Sequence, residues 1–319
     1  MCAFIAKPVQ NHCSARVMRQ RANSINYPWL KLCLLSILSI SSGIASPLAA
    51  SAQPPQLSGV TGSTFDAPPP PGYKIKEQSD LSGSALRYQK LASDSPANIA
   101  HLVRLNLTSP DLRLVISPEN KKGSTPSDLA LADSSIVSLN GSFFDDRMRA
   151  LGLVVSRSLT WKGSRDTAGY YVFGCINAQT CSIETDSGFI ASGGSRAPFE
   201  TAISGRPILV RNGTPRTTAE DSQCPQFCDK RHPRAAIALD RARKEIILAL
   251  AEGRQAAAQG YTLAEFGTLL SQVGAYDAVN LDGGGSATLI INGKRVSGRP
   301  FGEKTERPVV NVISIVKPR

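Results

Sequence analysis

Apolar and polar positions alternate with period two along much of the chain, and stretches of this kind read as β-strands. His101-Leu102-Val103-Arg104-Leu105-Asn106-Leu107 alternates in this way, and residues 112–116 repeat the pattern. Residues 135–139 lead as a strand into Asn140-Gly141-Ser142-Phe143-Phe144, and 151–155, 170–176, 181–185 and 207–210 add more. Two hairpins are marked by their turns. Residues 235–239 turn at 240–244 and return through 246–250, while Asn292-Gly293 supplies both left-handed positions of a type I′ turn between Ile291 and Lys294-Arg295-Val296. Helical spacing is rarer. Thr262 with Glu265 forms a capping box, and Leu263, Phe266, Leu269, Leu270 and Val273 recur at helical intervals before Gly274 ends the run. A second helix is expected over 126–131, capped by Thr125. The pattern predicts an α+β domain, a β-rich mixed or antiparallel sheet with few helices, whose chemistry sits on loops at strand ends.

The first 65 residues contain no Asp or Glu, whereas Lys7, Arg16, Arg19, Arg21 and Lys31 are positive. An apolar run over 32–44 follows, then Ser46-Pro47-Leu48-Ala49-Ala50-Ser51-Ala52. A basic segment, a short apolar core and an Ala-x-Ala site predict a secretory signal over 1–52, cleaved after Ala52, and hence a periplasmic or secreted protein. A membrane anchor is the rival reading, but serines and Gly43 interrupt a run that falls short of the about 20 apolar residues a span requires, so no stable span is expected. Residues 53–71, ending in Pro68-Pro69-Pro70-Pro71, form a stiff linker, and 72–319 form one domain. The expected cleavage changes the charge balance. Of 36 Lys and Arg, five lie in the leader, which leaves 31 against 25 acidic residues. That mildly basic balance suits an anionic substrate. With no Lys/Arg cluster interleaved with aromatics, a nucleic-acid partner is not expected.

The domain keeps Cys175, Cys181, Cys224 and Cys228, an even number that suits an oxidising compartment. Two local bridges, Cys175 with Cys181 and Cys224 with Cys228, are the preferred pairing; a Cys₄ zinc site is the rival, with wider spacings than usual for that metal. Familiar catalytic patterns are missing. There is no phosphate-loop motif or dinucleotide fingerprint, Ser286 is outside any Gly-x-Ser-x-Gly, and only His101 and His232 follow the leader, so neither a cofactor nor a histidine-based metal site is expected.

What remains is Asn280-Leu281-Asp282-Gly283-Gly284-Gly285-Ser286-Ala287-Thr288. A carboxylate followed by three glycines at a strand end sets one charge beside a backbone whose N–H groups are free to converge on an anion. The plain reading of such glycines is a turn. Short polar groups at Asn280, Asp282, Ser286 and Thr288 favour a site.

Four segments, His232-Pro233-Arg234-Ala235-Ala236-Ile237-Ala238-Leu239-Asp240, Gly260-Tyr261-Thr262-Leu263-Ala264-Glu265, the Asp282 loop and Glu306-Arg307-Pro308-Val309, with Asn140-Gly141-Ser142-Phe143-Phe144 upstream, resemble the phosphodiester glycosidase family. Ser142 stands where that family has a second glycine. The resemblance runs over about residues 100–316 and implies hydrolysis at the anomeric carbon of a sugar-1-phosphodiester or polysaccharide substrate, releasing free sugar and a phosphomonoester. For that chemistry the residues themselves offer Asp282 as nucleophile, base or oxocarbenium stabiliser, with Glu306 and Asp240 as further carboxylate candidates. Arg234 and Arg307 would be phosphate forks, Gly283, Gly284 and Gly285 N–H donors to phosphoryl oxygens, Asn140, Gly141, Asn280, Ser286 and Thr288 positioning groups, and Phe143 and Phe144 a sugar-stacking face. Two other readings stay open: a non-catalytic carbohydrate- or exopolysaccharide-binding module, and a phosphodiesterase that releases sugar-1-phosphate.

Overall fold

The computed structural model describes residues 68–162, 169–185 and 199–318. The expected secretory signal and most of the expected linker fall outside the described residues. Among the described residues, three antiparallel sheets carry the fold. The largest has eight strands in the order Tyr73–Asp80 (β1), Leu86–Asp94 (β2), Ala97–Asn106 (β3), Glu245–Ala251 (β14), Arg234–Leu239 (β13), Asp277–Leu281 (β15), Ile208–Arg211 (β11) and Thr214–Pro215 (β12). A second runs Leu159–Thr160 (β7), Val154–Ser156 (β6), Thr201–Gly205 (β10), Tyr171–Asn177 (β8) and Thr180–Thr185 (β9). The third runs Lys294–Arg295 (β17), Leu289–Ile291 (β16), Val137–Asn140 (β5), Val312–Val316 (β18) and Arg113–Ile116 (β4).

The centre of the large sheet is buried on both faces, which is why β13 to β15 read as apolar runs. Ala235, Ile237 and Leu239 of β13 join Ile246, Leu248, Leu250, Val279 and Leu281 in a core shared with Leu114, Leu139, Phe173, Ile203, Leu289 and Ile313 from the other sheets. Ala236 and Ala238 face the opposite way, with Ile247, Ala249 and Ala278, against Leu263, Phe266, Leu269 and Leu270. Those last residues belong to the helix Leu263–Gln272 (α3), which follows Pro126–Asp133 (α1) and the single turn Thr218–Asp221 (α2). Alanines on that face let the helix lie close to the sheet, and burying its four large side chains at about 25 cal/mol per Å² outweighs its modest propensity. Both expected caps form: Thr262 makes a capping box with Glu265, and the Thr125 hydroxyl accepts from the Asp128 N–H. Asn292 and Gly293 have φ of 49° and 72°, as the turn requires.

Register brings four chain segments to one end of the structure. β13 starts at Arg234 beside Ala251, where β14 ends, and Ala235 pairs with Leu281, where β15 ends. Asp282 to Thr288 then crosses from the large sheet to β16 of the third. There Asn140, the last residue of β5, meets it: its Nδ2 donates to the Asp282 carbonyl at 2.6 Å, and its Oδ1 accepts from the Thr288 N–H at 3.1 Å. Two disulfides form in the preferred pairing, Cys175–Cys181 across the β8–β9 hairpin and Cys224–Cys228 in the turn before β13.

Candidate active site

Asp282 opens into a cleft of about 130 Å³ lined with Phe227, His232, Arg234, Arg254, Leu281, Gly283 and Gly284. Its Oδ1 accepts from the Gly283 N–H at 2.9 Å. Although one edge of the residue meets the cleft, the carboxyl is densely surrounded, and burial pushes its pKa up to about 6; the Ser286 hydroxyl, the Gly283 N–H and the Arg307 charge pull the other way without reversing it. It is therefore an ionised group at neutral pH with an unusually strong affinity for a proton.

Most N–H groups of the glycine loop are engaged within the protein. The Gly284 N–H donates to the Pro233 carbonyl at 2.9 Å, and the Ser286 and Ala287 N–H groups donate back to Gly283 and Gly284. With the Gly283 N–H on Asp282, only the Gly285 N–H of the loop is left without a protein acceptor among the described residues. The expected cradle of converging donors is thus mostly turned inward. Gly284 is left-handed, φ 59°, and a β-carbon there would sit 3.5 Å from Arg254 Nη2. A β-carbon on Gly283 would lie 2.5 Å from the Pro233 carbonyl oxygen, and one on Gly285 would collide with Arg307 and Glu303. Each glycine makes room: for the Pro233 backbone, for Arg254, or for Arg307.

His232 and Arg254 form the facing wall. Arg254 Nη2 lies 3.0 Å from His232 Nδ1. A guanidinium only donates, so Nδ1 is the acceptor and the imidazole proton is on Nε2. Burial, followed by the charges of Arg234, Arg254 and Lys230, pushes the imidazole pKa down to about 4. His232 is neutral at physiological pH and acts there as a hydrogen-bonding group.

Arg234 is in the cleft wall, but most of its guanidinium is engaged. It is 1% exposed, with Nε on the Tyr261 carbonyl at 3.1 Å and Nη2 on those of Phe227 and Lys230 at 2.7 and 2.8 Å. Its guanidinium also stacks 4.7 Å from the Phe227 ring centre. Burial lowers its pKa to about 10, so it stays cationic. The expected phosphate fork is largely a clamp on the disulfide-closed turn, with Nη1 left over. Arg234→Ala should therefore cost stability before affinity: with three carbonyls left without their donor, we expect a loss of about 3 kcal/mol and a Tm lower by about 6–12 °C, read by thermal unfolding.

Arg307 is half-exposed beside Gly285, 2.5 Å from the Glu303 carboxylate. Phe143 packs edge-on against Phe227 and Tyr170, with centroids 6.1 and 6.4 Å apart, and Arg206 lies 4.8 Å over the Tyr170 ring. Of these rings Phe227 lines the cleft, with Phe143 packed on it, while Tyr170 is buried.

Other expected site residues have structural partners instead. Glu306 accepts from the Ser127 N–H and hydroxyl at the start of α1 and lies 3.6 Å from Arg295. Asp240 accepts from the Lys244 and Glu245 N–H groups in the β13–β14 turn, at the far end of a strand about 20 Å long. Neither is brought to Asp282. Phe144 packs on the main core. Gly141 abuts Asn311, whose Oδ1 accepts from the Ser142 N–H at 2.9 Å. Asn280 Nδ2 holds the Arg206 carbonyl at 2.9 Å, and Asn280 Oδ1 and Thr288 Oγ1 are buried without partners among the described residues. Arg254, Phe227, Tyr170, Glu303 and Asn311 are additions that motif reading missed. Arg254 was recoverable: extending the 235–250 hairpin by its own register sets residues after Ala251 beside those before Arg234.

A family model described as phosphodiester glycosidase matches residues 133–316. The human N-acetylglucosamine-1-phosphodiester alpha-N-acetylglucosaminidase is 30% identical over 199 residues, 56% of this chain and 36% of that protein. An uncharacterized SPbeta prophage-derived protein of Bacillus subtilis, YomE, is 27% identical over 204 residues, 60% of this chain and 29% of that protein. The chain thus spans about a third of the length of these relatives. Among solved structures, the zebrafish N-acetylglucosamine-1-phosphodiester alpha-N-acetylglucosaminidase catalytic domain superposes with a TM-score of 0.61 at 21% identity, covering 77% of this chain and 89% of that one, and so has the same fold. The matched segment contains the Asp282 loop, β13 with Arg234 and the Arg307 segment, and by that match the chain belongs to the phosphodiester glycosidase family.

Proposed function

We propose that this protein is an exported enzyme that hydrolyses the glycosidic C–O bond of a sugar-1-phosphodiester, giving free sugar and a phosphomonoester. The observation that carries this reading is Asp282, one partly buried carboxylate, in a cleft with the guanidinium of Arg254 over Gly284 and that of Arg307 over Gly285. Arg254 and Arg307 hold the non-bridging oxygens of the diester by charge-assisted hydrogen bonds. As the bond between C1 and the bridging oxygen breaks, its electron pair leaves with the phosphate, and the positive charge that develops at C1 is met by the Asp282 carboxylate. Water supplies the hydroxyl to C1, and its proton passes to Asp282 and then to solvent. A phosphate leaves with less protonation than an alcohol, so one carboxylate suffices, in keeping with Glu306 and Asp240 being engaged elsewhere. The neutral His232 donates from Nε2 to a substrate oxygen, and Phe227 with Phe143 offers the sugar an apolar face. Two disulfides support export, and among the described residues no helix is long and apolar enough to cross a membrane.

The test is a set of sugar-1-phosphodiesters incubated with the purified protein. Free sugar plus phosphomonoester is expected. Sugar-1-phosphate plus alcohol would identify a phosphodiesterase, and binding without turnover a carbohydrate-binding module. The pH profile adds a second check. Asp282 must be ionised, and its pKa is raised to about 6, so kcat/KM should rise with pH through about 6 and then stay level. His232, neutral above about 4, adds no limb in that range. A fall through pH 6 would make Asp282 a proton donor.

A further inference from the structure

Glu303 has no place in the reaction as derived, yet it lies over the site. Its Oε1 is 2.5 Å from Arg307 Nη2, and a β-carbon on Gly285 would strike both groups, so the carboxylate sits directly above the loop that follows Asp282. The segment bearing it is tied to the opposite wall by the Phe301 N–H, which donates to the Arg254 carbonyl at 3.0 Å, and is turned on itself by the Glu303 N–H, which donates to the Pro300 carbonyl at 3.1 Å. The side chains of Glu303 and Arg307 are 27% and 46% exposed, so both reach the surface where a phosphate would dock. Around Gly283 to Gly285 the guanidiniums of Arg254 and Arg307 lie with two carboxylates, Asp282 and Glu303, and the cationic Arg234 in the cleft wall adds a third positive charge whose donors are mostly spent on carbonyls.

Glu303 offsets part of that positive charge where the phosphate would dock. A phosphodiester carries one negative charge, whereas a phosphomonoester approaches two at neutral pH. A second carboxylate beside the phosphate position repels both, and repels the dianion about twice as strongly, because the interaction scales with the product of the charges. We propose that Glu303 is a specificity-determining residue that makes the site prefer a phosphodiester monoanion over a phosphomonoester dianion. This rests on the phosphodiester reading above and adds which charge state the site selects. It also gives the product a reason to leave: cleavage turns a monoanion into a dianion, which the Glu303 carboxylate repels more strongly.

The experiment measures binding, not turnover. Dimethyl phosphate, a monoanion, and methyl phosphate, a dianion at pH 8, are titrated by NMR into the wild-type protein, Glu303→Gln, Glu303→Ala and Glu303→Asp. The wild type should bind dimethyl phosphate at least as tightly as methyl phosphate. Glu303→Gln should tighten methyl phosphate by on the order of tenfold and dimethyl phosphate by about threefold. Glu303→Ala should shift the ratio in the same direction, and Glu303→Asp, which keeps the charge, should leave it near wild type. If both anions bind but the ratio in Glu303→Gln and Glu303→Ala stays within about twofold of wild type, Glu303 does not select charge, and the proposed function stands. If neither anion binds any of the four proteins, the phosphate reading of the cleft falls, and this proposal with it.

Discussion

Asp282→Asn is expected to abolish turnover and to make the protein more stable at neutral pH. The two effects have one cause. A carboxylate held in a crowded wall meets the charge that develops at C1, and the amide carries no charge to offer, so kcat should fall by about a thousandfold or more with KM little changed. The stability side follows from the pKa raised to about 6. The folded state binds this proton more tightly than the unfolded chain, so as pH rises from about 4 to 6 the ionising carboxyl destabilises the fold, and above 6 the loss is complete. Asparagine is neutral throughout. Discounted for the water that reaches the cleft, the variant should gain about 2 kcal/mol, or about 4–8 °C in Tm, at pH 7.5 and nothing at pH 4. Thermal unfolding at both pH values, with kinetics on the same preparation, checks both halves. Near-normal activity in a folded variant would remove Asp282 from the chemistry.

Arg254→Ala should give the next largest loss, with kcat/KM for a phosphodiester lower by about a hundredfold to a thousandfold. Arg254 is exposed, lies over Gly284 and does not clamp the fold through its guanidinium as Arg234 does, so its removal should leave Tm within a few degrees. Its second effect is on His232. Arg254 donates to Nδ1, and its charge helps keep the imidazole pKa down near 4. Without it, Nδ1 becomes free to take a proton and the His232 pKa should rise, which NMR titration of the ring would follow. Arg254→Lys should restore the charge but not the forked geometry, and so recover only part of the activity. A loss of activity tracking a loss of fold would instead make Arg254 a structural residue.

How far the sequence reaches can be judged from particular residues. Strands β3, β13 and β14 and helix α3 were legible because alternation, a marked hairpin and a capping box each state local preferences that the fold keeps. β1 was not: Tyr73–Asp80 is an exposed edge strand of mostly polar side chains, held by its ladder to β2 and lacking an apolar face to announce it. In the site, Asp282 was legible as the one carboxylate in a glycine-rich strand end. Arg234 drew the same expectation from the same kind of motif, but its chemistry is decided by the Tyr261, Phe227 and Lys230 carbonyls that it meets, and no local pattern records them. Glu306 and Asp240 drew an expectation of catalysis in the same way, but the structure engages them at a helix start and in a turn, partners that no local pattern records. Asn140 was expected to touch substrate; it staples the two ends of the Asp282 loop.

Hydrolysis of a sugar-1-phosphodiester in ¹⁸O-labelled water, with both products weighed by mass spectrometry, shows directly which bond this site breaks. Cleavage between C1 and oxygen, with Asp282 acting at the carbon, predicts the label in the free sugar and none in the phosphomonoester. Label in the phosphate would show attack at phosphorus and rule out glycosidic cleavage at C1.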